Sequence, residues 1–70
     1  MKKKYIVNLS QDEKEQLGQL VASGTHSARK LNRARVLLKA DAGWSDGSIV
    51  KALDVSRPTV ERIRRRFVLE

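Results

Sequence analysis

Between Asp46 and Phe67 the helical pattern is interrupted by Asp54-Val55-Ser56, and that interruption constrains the fold more than any other feature. Apolar residues at 49, 53, 55, 60 and 63 fall on two short helices and the turn between them, spaced so that both helices share one small core. Val55 is placed to plug the junction. Ser56 stands where it caps the second helix, and Pro58 falls in that helix's first turn, where its missing amide breaks no intrahelical bond. Two helices crossing about so short a turn form a helix-turn-helix.

The rest of the chain is punctuated in the same way. Residues Ser10-Gln11-Asp12-Glu13 have the form of a capping box, so a first helix starts near Gln11. It carries Leu17, Leu20 and Val21 on one face and stops at Ser23-Gly24. Thr25 or Ser27 caps a second helix with an apolar stripe of Ala28, Leu31, Ala34 and Leu38, widened by Val36 and Leu37 and closed by Gly43. Ser45 caps a third, whose buried side is Ile49, Val50, Ala52 and Leu53; Val60, Ile63 and Phe67 form the inner face of the fourth. Tyr5-Ile6-Val7-Asn8-Leu9 reads as an extended arm or a lone strand. The expected fold is all-α: a three-helix, homeodomain-like helix-turn-helix bundle with an additional N-terminal helix. Residues 1–70 form one domain, divided into an arm at 1–9, an N-terminal helix at 10–24, a scaffold helix at 25–43 and the helix-turn-helix at 45–68.

A core this small needs good local structure, because below about 70–80 residues it rarely contributes more than 3–5 kcal/mol. The chain has 70 residues and no cysteine, so neither disulfides nor thiolate metal sites supplement that core. No apolar run is long enough to span a membrane, and no signal-peptide pattern follows the basic N-terminus, which places the chain in the cytoplasm. Fifteen Lys and Arg against eight Asp and Glu give a formal charge of +7, which points to a polyanion partner.

Once Val60, Ile63 and Phe67 face inward, the outer face of the last helix carries Arg57, Pro58, Glu61, Arg62 and Arg65, flanked by Arg64 and Arg66. Arginine can grip guanine O6 and N7 bidentately, and recognition helices read bases with their N-terminal part, so Arg57, Glu61 and Arg62 are the expected base readers in double-stranded DNA. Ser45, Ser56, Thr59, Arg64, Arg65 and Arg66 are assigned to phosphates, which fix register without carrying sequence information. Glu61 either selects cytosine or orients Arg57 and Arg65. The basic face of the second helix, with Arg29, Lys30, Arg33, Arg35 and Lys39, is either the solvent side of a scaffold or a surface touching DNA backbone. Lys2, Lys3 and Lys4 form either a minor-groove arm or a solubilising tail. Trp44 is expected to plug the core rather than stack on bases, and His26 has no partner at metal-ligand spacing. No metal, cofactor or small-molecule substrate is expected.

Five segments carry a resemblance: Tyr5-Ile6-Val7-Asn8-Leu9-Ser10, Ala28-Arg29-Lys30-Leu31, residues 33–41, Gly43-Trp44-Ser45-Asp46 and Val55-Ser56-Arg57. Together they resemble the N-terminal DNA-binding region of bacterial insertion-sequence transposases of the mariner superfamily, over nearly the whole chain. The resemblance implies binding to the terminal inverted repeats of a mobile element, with nucleoid association when bound. It also implies a separate RNase H-like catalytic domain too large for this chain, so the chain reads as a truncated transposase or an excised domain. Two positions depart from that pattern: Asp54 stands where the turn usually has glycine, and Val50 where a small residue is usual. The alternatives are a free-standing helix-turn-helix transcriptional regulator, or a basic protein-interaction or membrane-surface module; an oligomer is compatible with each. An independent enzyme is not expected, since one histidine and carboxylates at helix ends do not assemble a nucleophile, base and orienter.

Overall fold

The computed structural model describes residues 6–69 and shows four helices: α1 (Gln11–Ser23), α2 (Ala28–Asp41), α3 (Asp46–Leu53) and α4 (Arg57–Leu69). Lys2, Lys3, Lys4 and Tyr5 lie outside the described residues. Each helix begins at a serine. Ser10 and Glu13 close the capping box from both sides, at 3.1 Å (Glu13 N–H to Ser10 Oγ) and 2.9 Å (Ser10 N–H to Glu13 Oε1). Ser27, and not Thr25, caps α2 by accepting from Lys30 N–H at 3.3 Å; Ser45 accepts from Ser48 N–H at 3.2 Å and Ser56 from Thr59 N–H at 3.3 Å. Three breaks use the left-handed region: Gly24 at φ 65°, Gly43 at φ 94° and Asp54 at φ 55°. Gly43 belongs to a Schellman closure of α2, in which its own N–H reaches Ala40 O and the N–H of Trp44 reaches Lys39 O, both at 3.1 Å.

The core is assembled from three helices and the arm. Val36 of α2, Ile49 of α3 and Val60 of α4 are fully buried, joined by Leu37 and Ala40 and by Val7 and Leu9 from the extended chain before α1. Among the described residues there is no strand, so the arm is extended without a sheet partner. Its alternation seats Val7 and Leu9 inward and leaves Ile6 exposed. α2 packs against α1, α3 and α4, whereas α1 packs on α2 alone and buries no residue completely, its Leu17, Leu20 and Val21 being half-buried.

Two inner faces differ from the sequence expectation. On α2 the buried residues are Ala34, Val36, Leu37 and Ala40; Leu31 and Leu38 are half-buried and Ala28 is exposed. A helix with three partners is covered over a broad arc, and the crossings of α3 and α4 move its centre toward Val36 and Ala40. On α3, Ala52 is exposed, while Ile49, Val50 and Leu53 face the core. Val55 packs from the turn, as its place in the pattern requires.

Asp41 fastens the arm to this frame. Its Oδ1 accepts the Leu9 N–H at 2.8 Å, and its Oδ2 lies 3.4 Å from Lys14 Nζ. The Leu9 N–H, with smaller help from Lys14, holds the carboxyl below the usual carboxylate range against the opposing effect of desolvation.

Candidate nucleic-acid interface

The outer surface of α4 follows from its inner one. With Val60 fully buried and Ile63 and Phe67 half-buried against the core, helical geometry turns Arg57, Pro58, Glu61, Arg62 and Arg65 away from the protein. All five are exposed, as is Arg66. The three residues expected to read bases, Arg57, Glu61 and Arg62, therefore share the solvent side of α4. Among the described residues Glu61 forms no ion pair with Arg57 or Arg65, so it does not orient them here. The Arg57 guanidinium leans toward the first turn of α3, where its Nη2 would lie 3.5 Å from a Cβ added to Gly47.

Arg64 stands apart from its neighbours. Its Nε lies 2.7 Å from Asp46 Oδ1 and its Nη2 donates to Trp44 O at 3.0 Å, with the side chains only 12% and 18% exposed for Arg64 and Asp46. Its place beside Arg65 and Arg66 predicts a phosphate ligand, but the fold gives it an internal partner: it latches α4 to the start of α3. The signal was present in the spacing, because residue 64 lies one turn beyond Val60 and so on the edge of the inward face.

The expected phosphate ligands on the caps are also engaged locally. Ser45 Oγ donates to Ser48 Oγ at 3.0 Å while accepting from its N–H. Ser56 Oγ and Thr59 Oγ1 are 2.7 Å apart, with Ser56 exposed and Thr59 half-buried. Both Ser56 and Thr59 border a groove of about 540 Å³ between α2 and α4, whose other walls include Arg62, Arg66, Arg29 and Arg33. This groove is where the basic face of α2 meets α4, a juxtaposition that no single-helix pattern contains.

Trp44 is not the core plug that its place at the α2–α3 junction predicts. Its residue is 40% exposed, and its ring carries Lys39 Nζ at 4.2 Å from the centroid. The Schellman closure explains this, since the residue after its glycine folds back onto the last turn of the helix, here onto Lys39. His26 is exposed in the bend before α2, and among the described residues no three His, Cys, Asp or Glu side chains gather in a way that would hold a metal ion. No described helix is long and apolar enough to cross a membrane.

The arrangement is that of a domain class that presents its last helix to the DNA major groove: two helices crossing at a capped three-residue turn, packed on a third. No curated protein and no solved structure matches the chain. Residues 27–70, from the cap of α2 through the end of α4, match the homeodomain-like domain family, and the chain belongs to it.

Proposed function

We propose that this chain is a sequence-specific double-stranded DNA-binding module that lays α4 in the major groove. One observation carries the reading: on a homeodomain-like frame, the apolar side of α4 packs against the core through buried Val60 and half-buried Ile63 and Phe67, and the side turned outward is rich in arginine. In this reading Arg57, Glu61 and Arg62, nearest the helix N-terminus, contact base edges, with Glu61 accepting from a cytosine amino group. Arg65, Arg66, Ser56 and Thr59 hold phosphates, and Ser45 contributes through the N-terminal amides of α3 because its hydroxyl caps that helix. Arg64 sets the angle of α4. The resemblance to mariner-type transposases supports a specific target, the terminal inverted repeats of an insertion sequence, with catalysis belonging to a separate domain.

Selection of bound duplexes from a random pool, followed by titration over a series of salt concentrations, tests this. A selected duplex should bind more tightly than its scrambled counterpart, with log K falling by about 0.9 per neutralised phosphate for each unit of log salt. Arg62→Ala should erode the preference by about 1–3 kcal/mol at one base position, whereas Arg65→Ala should weaken all duplexes alike. Equal affinity for selected and scrambled duplexes at moderate salt rejects specific recognition. A uniform loss in both variants rejects the division of roles.

A further inference from the structure

We propose that the groove between α2 and α4 holds a sugar-phosphate strand of the same duplex that α4 reads, and that Arg29 and Arg33 of α2 are phosphate ligands. The inference rests on the DNA-binding reading above and extends the interface to a second helix.

The groove has the chemistry of a backbone track. Arg29 and Arg33, one turn apart on α2, form one wall, and Arg62 and Arg66, also one turn apart, form part of the other. Among the described residues that line it there is no carboxylate; Glu61 is on the other flank of α4, and Asp41 is at the far end of α2 with Leu9 and Lys14. Asn32, Ser56 and Thr59 add neutral hydrogen-bonding groups between the guanidinium pairs. Rigid arginine forks suit phosphate oxygens better than flexible ammonium groups do. Facing pairs of like charge raise the local positive potential and so favour an anion in the groove.

Position selects a duplex strand over an isolated anion. The groove is open at about 540 Å³, and Arg62 belongs both to it and to the outward row of α4. A strand leaving the bases under Arg62 therefore runs on between the two helices. Such contacts add affinity without choosing among sequences. Arg29 and Arg33 are thus expected to act alike on every duplex, in contrast to Arg62 on the same groove.

The test compares two double variants of equal charge. Arg29→Ala/Arg33→Ala removes two groove residues, and Lys30→Ala/Arg35→Ala removes two exposed cations of α2 that do not line the groove. All four side chains are exposed, so helicity by circular dichroism should match the parent in both. The groove variant should lose roughly tenfold or more in affinity near 0.1 M salt, equally for selected and scrambled duplexes, and its salt slope should fall by about 1.8. The control should lose much less, and Arg29→Lys/Arg33→Lys should restore most of the slope. If the groove variant and the control behave alike while the parent still binds duplex, the groove assignment is overturned and the reading of α4 stands. If the parent binds no duplex, both fall.

Discussion

Asp54 is the only non-glycine residue among those described with a positive φ, at 55° with ψ 46°. The turn between α3 and α4 needs the left-handed conformation there to reverse the chain within three residues, and an L side chain enters that region at a cost that aspartate reduces without removing. Replacing Asp54 by glycine should therefore stabilise the fold by about 0.5–1 kcal/mol, and Asp54→Val should destabilise it by about 1–2 kcal/mol. Urea unfolding gives both values, and an unchanged midpoint in the two variants would show that residue 54 does not set the turn. This strain was legible from the sequence, because the position was marked by its departure from glycine. Val50 was marked in the same way, yet it fits: it is half-buried against the core beside Ile49, so the crossing of α3 accommodates its extra bulk.

At the scale of elements, the serine caps and the links between helices contrast in how far they could be foreseen. Each cap joins residues three apart, so its chemistry is contained in four consecutive letters, and Ser10, Ser45 and Ser56 could be read directly. The links depend on how helices cross. Asp41 meets Leu9 across 32 residues of sequence, and Arg64 reaches Trp44 across 20. The Asp41 link has a consequence in acid. Because folding lowers the pKa of this carboxyl, its stabilisation is fully present above the unfolded value of about 3.9 and disappears as pH falls through the lower folded value. Asp41→Asn, which keeps an acceptor for the Leu9 amide but drops the charge, should lower the melting temperature at pH 7. The gap to the parent should close as pH falls from about 5 toward 2. Equal melting temperatures at pH 7 would show that the charge of Asp41 adds nothing to the hydrogen bond and packing that hold the arm.

For the whole molecule, stability is concentrated at the meeting point of Val36, Ile49 and Val60, one residue from each helix of the three-helix unit. Truncating Ile49 to alanine leaves a cavity there and should cost about 2–5 kcal/mol, against a total of roughly 3–5 kcal/mol for a core of this size. That variant should be largely unfolded at 25 °C, losing amide dispersion in NMR and duplex binding together. Leu20→Ala, on the half-buried face of α1, should instead leave α2–α4 folded and α4 in place. Cooperative folding of Ile49→Ala near the parent's midpoint would mean that this contact is not the centre of the core.

Helix number, the helix limits other than the start of α2, and the side of α4 turned outward were determined by the sequence, since caps, breakers and apolar spacing act over a turn or less of chain. Tertiary structure alone decided that Ala40 faces the core while Ala28 stays in solvent, that Asp46 is the partner of Arg64, that Trp44 lies on Lys39 in the open, and that Arg29 and Arg33 share a groove with Arg62. Each of those outcomes is set by the angle and distance at which one helix meets another, and those are fixed by side-chain volume packed across the molecule, which no local pattern encodes.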